Sequence, residues 1–162
     1  MELKKLDSSF YIENPILHEA LDFDRKSGTW MEGGKVRGHG IVQIAINGLI
    51  FAIPVRSNID HDQCFILEVN RANPRIKGMG LDYSKAMLIR DEKHVTSDVF
   101  VLTNKAAAKK LIGKQEHITK SFSKYVERYV AAVAKKDKHI LGDKGYRFTT
   151  LINFHRELGI DS

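Results

Sequence analysis

Asn47-Gly48 stands between two nearly continuous apolar runs, Gly40-Ile-Val-Gln-Ile-Ala-Ile46 and Leu49-Ile-Phe-Ala-Ile53. Few dipeptides constrain a backbone so strongly. Asn-Gly tolerates positive φ at both central positions of a type I′ turn, whose twist matches that of antiparallel strands. The stretch predicts a β-hairpin with both faces covered. Further strands are predicted at Cys64–Val69, Ala86–Ile89 and Val99–Leu102. The Gly-, Asn- and Arg-rich stretch Asn70–Leu81, with Pro74, Gly78 and Gly80, predicts a loop.

Helices are expected mainly in the second half. Ile118, Phe122, Tyr125, Val126, Tyr129, Val130 and Val133 recur at spacings of three and four and define an apolar stripe. A shorter helix is expected at Thr103–Ile112, ending before Gly113, which suits a left-handed turn. Two more are expected, at Pro15–Leu21 after Asn14 and at Phe148–Leu158 before Gly159. No repeat, low-complexity tract or linker is visible. The pattern predicts one α+β domain over residues 1–162, with an antiparallel sheet and helices packed around it.

Charge is located rather than spread. Of 26 Lys and Arg against 20 Asp and Glu, segment 103–147 holds twelve bases and four acids, a balance of +8 that leaves −2 for the rest. On the long helix His117, Lys120, Ser121, Lys124 and Arg128 share a polar face. Such a row suits a phosphate backbone, although a solvated face of a core helix looks the same. Apolar runs such as Ile41–Ile46 are far shorter than the ~20 residues of a membrane-spanning helix. No signal-peptide pattern appears at the N-terminus, and the single Cys64 suits a reducing cytoplasm as a small buried hydrophobe.

No phosphate-cradling glycine motif, HExxH, GxSxG or paired cysteine is present. Asp60-His61-Asp62 resembles a metal-binding triplet, but adjacent residues seldom converge on one ion, so no metal or other cofactor is expected. The hairpin's open end is more informative. In an extended chain Lys35, Arg37 and His39 point to one side, and antiparallel pairing sets them across from Arg56 and Ser57. Clustered guanidinium, imidazole and hydroxyl groups suit phosphodiester chemistry: Arg stabilises growing phosphate charge, and His moves protons. Surface ion pairs for the two arginines, and a turn start at Ser57, explain the same pattern equally well.

These residues also carry a resemblance. Gly40-Ile-Val…Asn47-Gly48…Ala52-Ile-Pro54-Val-Arg56-Ser57 resembles the toxins of type III toxin–antitoxin systems, the ToxN/AbiQ-like endoribonucleases. Val36-Arg37-Gly38-His39-Gly40, the run Lys77–Ala86 and Phe122-Ser123-Lys124-Tyr125-Val126-Glu127-Arg128-Tyr129 are similar to the TenpN family within that group. The likeness extends from Asp7-Ser8-Ser9-Phe10-Tyr11-Ile12 to about Gly159. It implies a strongly bent antiparallel sheet with a barrel core like that of MazF/Kid-type toxins. It also implies metal-independent cleavage of single-stranded RNA by 2′-hydroxyl attack, leaving a cyclic phosphate and a 5′-hydroxyl. The implied partners are folded antitoxin RNA repeats, such as pseudoknots, which inhibit the enzyme in a protein–RNA hetero-oligomer. The implied substrates are that repetitive transcript and cellular or phage mRNA, in a bacterial phage-defence (abortive infection) setting.

By the resemblance, the motif serine falls on Ser57 and the residue before it on Arg56. ToxN-like members have Thr-Ser-Pro-Lys where this chain has Arg56-Ser57-Asn58-Ile59, so Arg56 would supply the cation. The pre-hairpin lysine falls on Lys35 or Arg37, and the N-terminal tyrosine on Tyr11. His39 is assigned on geometry alone. Tyr11 and Trp30 would stack on bases or lie in the core; Lys77 and Lys85 would meet phosphate or solvent. Three rival readings remain: a non-catalytic RNA-binding module, a metal nuclease using Asp60, His61 and Asp62, and a basic face for an acidic protein.

Overall fold

The computed structural model describes residues 1–14, 17–19, 23–24, 29–30 and 40–160. Its strands are β1 (Lys4–Leu6), β2 (Phe23–Asp24), β3 (Thr29–Trp30), β4 (Ile41–Ile46), β5 (Leu49–Ile59), β6 (Cys64–Val69), β7 (Gly78–Asp82), β8 (Met87–Leu88) and β9 (Val95–Val99). Its α-helices are α1 (Ser8–Glu13), α2 (Lys105–Lys109), α3 (Gln115–Lys135) and α4 (Lys138–Leu141). Strands β2 and β3 form a separate two-stranded ribbon.

The hairpin forms as the turn dictates. Asn47 and Gly48 have φ of 48° and 77°, and β4 pairs with β5 from Ile46↔Leu49 to Ile41↔Pro54. One face is more open than expected, because Gln43 and Ala45 are exposed. Strand β5 is the spine of the sheet. Its first half borders β8 and its second half borders β7. Among the described residues the sheet runs β6-β7-β5-β4-β1-β9, every pair antiparallel, with β6 and β9 at its edges. It is an open seven-stranded sheet rather than a closed barrel.

Strand β7 lies in the stretch expected to be a loop. Glycine is what permits it: a Cβ at Gly80 would run into the Phe65 carbonyl oxygen, and one at Gly78 into that of Glu68. These glycines let two backbones approach closely.

Helix α3 lays Ile118, Phe122, Tyr125, Val126 and Tyr129 into the core. Phe122 meets Phe51 of β5 edge-on at 5.3 Å, and Tyr125 stacks on Tyr146 at 4.6 Å. Burying side chains of this size contributes roughly 1.5–3 kcal/mol each. The Tyr125 hydroxyl donates to the Gly145 carbonyl at 2.7 Å, so its burial leaves no unmet donor.

Other expectations shift. Helix α1 is capped by Asp7, whose carboxylate accepts the Ser9 N–H at 3.1 Å. Strand β9 falls at Val95–Val99 rather than Val99–Leu102. The expected helix at Phe148–Leu158 is only a 3₁₀ turn, Thr150–Asn153. There Thr149 caps the Leu151 N–H, while the Thr150 hydroxyl and Asn153 amide reach backbone carbonyls. The last two bonds tie the turn to distant chain at Ser84 and His18. Of Pro15–Leu21, residues 17–19 include a turn and the others lie outside the described residues.

Candidate functional site

Ser57 and Asn58 sit where the ladder between β5 and β7 breaks, after Arg56↔Gly80 and before Ile59↔Gly78. Asn58 takes a left-handed φ of 57°. Such a bulge re-aims side chains out of the strand alternation. Both residues open onto a groove of about 850 Å³ with Leu67, Met79 and Ala107 among its apolar lining and Arg71 and Lys110 among its cations. The groove lies between the end of β6 and α2. Asn104 joins these walls: its Oδ1 accepts the Ala106 and Ala107 N–H groups, and its Nδ2 donates to Glu68 Oε2 at 2.8 Å.

Behind Ser57, the Arg56 side chain is 39% exposed, and its Nη1 donates to Asp82 Oδ2 at 3.2 Å. Asp82 is wholly buried. Its Oδ1 accepts the Ser84 hydroxyl at 2.6 Å, the Ser84 N–H at 3.0 Å and His61 Nε2 at 3.1 Å. The opposite nitrogen, His61 Nδ1, accepts the Gln63 N–H at 3.0 Å. That bond assigns the imidazole proton to Nε2, which therefore donates to Asp82. Burial pushes the Asp82 carboxyl up, but the His61 and Ser84 hydrogen bonds and the Arg56 charge outweigh it and hold the group below its ordinary value.

The cluster is not a hydrolytic triad. Ser84 and His61 are both buried, the hydroxyl is spent on the carboxylate, and Nδ1 is occupied by backbone. Nor do Asp60, His61 and Asp62 converge on a metal: Asp60 is exposed, His61 turns to Asp82, and Asp62 pairs with Lys77. Among the described residues no group of three potential ligands is placed to hold an ion. The Cys64 thiol is pushed up to about 12 by burial and by Asp82, which disfavours the thiolate.

On α3, His117, Lys120, Lys124 and Arg128 are exposed and form no salt bridge to a described residue. Arg128 lies over the Tyr146 ring at 5.9 Å, and the His117 ring stands 5.7 Å from Phe65 of β6. From Phe65, β6 runs to the groove at Val69, roughly 13 Å at the usual strand rise.

Three residues expected to meet RNA have partners within the fold. The Ser121 hydroxyl turns inward to the Tyr83 hydroxyl and the Ile118 carbonyl. Lys85 is buried and donates to the carbonyls of Glu19 and Phe148, at 2.7 and 2.9 Å. Its ammonium is committed to holding chain segments together. Lys77 is exposed but paired with Asp62, so a phosphate would have to compete with that carboxylate. Lys35, Arg37 and His39 lie outside the described residues, as do the side chains of Tyr11 and Trp30. The hairpin register that would bring the first three to Arg56 holds as far as Gly40, whose carbonyl accepts the Val55 N–H at 2.8 Å.

Sequence reasoning missed Asp82. Its signal was an acid directly after the apolar and glycine run Gly78–Leu81, where an unpaired carboxylate would be expensive. Asn58, Arg71 and Lys110 carried no distinguishing pattern. Comparison with protein-family models, curated proteins and solved structures finds no match to this chain.

Proposed function

We propose that this protein is a metal-independent endoribonuclease, the toxin of a type III toxin–antitoxin system of the ToxN/AbiQ-like kind and nearest to the TenpN family. The observation that supports this reading is Ser57 at the β5 bulge, lining a groove with Arg71 and Lys110, with the partly exposed Arg56 next to it in the strand. On this reading the sheet is an open relative of the bent MazF/Kid-type core.

In the reaction, the 2′-oxygen of RNA bonds to the adjacent phosphorus and the P–O5′ bond breaks. A 2′,3′-cyclic phosphate and a 5′-hydroxyl result, and the 2′-hydroxyl proton ends on the leaving oxygen. Arg56 uses the donors not held by Asp82 to stabilise charge on the phosphorane, and the Ser57 hydroxyl orients the phosphate or the 2′-hydroxyl. Lys35 or Arg37, with His39, completes the cation and proton-transfer set. No cofactor takes part. The α3 face of His117, Lys120, Lys124 and Arg128 holds the folded antitoxin RNA in a cytoplasmic protein–RNA hetero-oligomer.

A second reading, an RNA-binding module without catalysis, is favoured by the Arg56–Asp82 pair, which leaves the unpaired α3 cations as the stronger RNA surface. One assay separates the two. Purified protein with end-labelled single-stranded RNA in EDTA should give products with cyclic phosphate ends, and Ser57→Ala should slow cleavage by about 100-fold, as for loss of one transition-state donor. Bound but intact RNA establishes the module instead.

A further inference from the structure

We propose that Asp82, braced by His61 and Ser84, is the positioning residue that sets the Arg56 guanidinium for phosphate; this rests on the nuclease reading above. Arginine is long and flexible, and exposed guanidinium groups sample many rotamers. Arg56 is tethered at Nη1 alone, by Asp82 Oδ2. No other described residue accepts a hydrogen bond from the guanidinium, and the side chain is 39% exposed.

The brace is built in layers. His61 and both donors of Ser84 crowd Oδ1, which leaves Oδ2 to the arginine. The Gln63 N–H fixes the imidazole tautomer in turn. Gly145 packs against the same layer: a Cβ there would collide with the Gln63 side chain and lie 3.6 Å from His61 Nδ1. Burying the carboxylate of such a pair is a poor means of gaining stability, because its lost hydration offsets much of the attraction to the arginine. What a carboxylate with no freedom does supply is a fixed direction for its partner, the preorganisation that phosphoryl chemistry requires.

Asp82→Asn keeps the volume and removes the charge. Single-turnover cleavage with saturating RNA in EDTA, RNA affinity and thermal melting are measured for wild type, Asp82→Asn, Arg56→Ala and the double variant. Asp82→Asn should slow cleavage by about tenfold with RNA affinity unchanged, and should cause no further slowing once Arg56 is alanine. His61→Gln, whose amide can replace the Nε2–H donor, should retain more activity than His61→Ala. If Asp82→Asn does not fold, Ser84→Ala enters the same cycle with the same expected dependence on Arg56.

Independent slowing by Asp82→Asn in the Arg56→Ala background, or full activity of Asp82→Asn, overturns the positioning role while leaving the nuclease standing. Wild-type protein that leaves RNA intact overturns both.

Discussion

Gly80 shows how much a single position decides. A Cβ there has nowhere to go except into the Phe65 carbonyl, so Gly80→Ala must push β6 from β7. Gly80→Ala should destabilise the fold by about 2 kcal/mol or more, read as a lowered urea midpoint, whereas exposed Ser57→Ala should stay within about 0.5 kcal/mol. The two substitutions separate structure from chemistry, since the first acts on the sheet and the second on the groove. Ser57 and Arg56 were legible because they adjoin a hairpin whose register follows from its turn. Asp82 was legible only as an anomaly, because its partners stand 21 and 26 residues away in sequence. Lys85 misled for a related reason: a lysine beside glycines reads as a loop residue, yet here its ammonium caps two carbonyls inside the fold.

Helix α3 joins core and surface in one element. Its apolar stripe was readable because the 3.6-residue period repeats over 21 residues, long enough to exclude accident. The same period orders the outer cations, but it does not separate Ser121, which sits at the boundary and turns toward Tyr83. If the outer face holds RNA, each of Lys120→Ala, Lys124→Ala and Arg128→Ala should lower the slope of log affinity against log salt by about 0.7–0.9. Ser121→Ala should leave that slope unchanged in a fluorescence-anisotropy titration. The Phe148–Leu158 segment contrasts with α3: a helix was expected there before Gly159, but the chain forms only the 3₁₀ turn Thr150–Asn153, tied to Ser84 and His18 by Thr150 and Asn153.

Across the molecule, acid titrates the pairs that tie distant segments together. Asp82 joins β7 to Arg56 and His61, and Glu13 joins α1 to His94 and Lys93. Burial opposes ionisation of Asp82, but its hydrogen-bonded and charged partners hold its folded value below the ordinary 3.8. The unfolded chain therefore takes up this proton first as pH falls. The stabilisation is complete above the unfolded value and is lost below about pH 4, through the folded value. Melting temperature should be level between about pH 5 and 7 and drop below pH 4, with a shallower acid limb in Asp82→Asn.

Features set by neighbours in the chain were open to inspection from residue order alone: the Asn47-Gly48 turn, the left-handed Gly113 and the period of α3. Each depends on local backbone sterics or on side chains a few residues apart. Strand β7, the burial of Lys85 and the meeting of Arg56, His61, Asp82 and Ser84 depend on which strands lie side by side. That choice is made by close backbone approach and by burial across long sequence separations, where no local preference reaches.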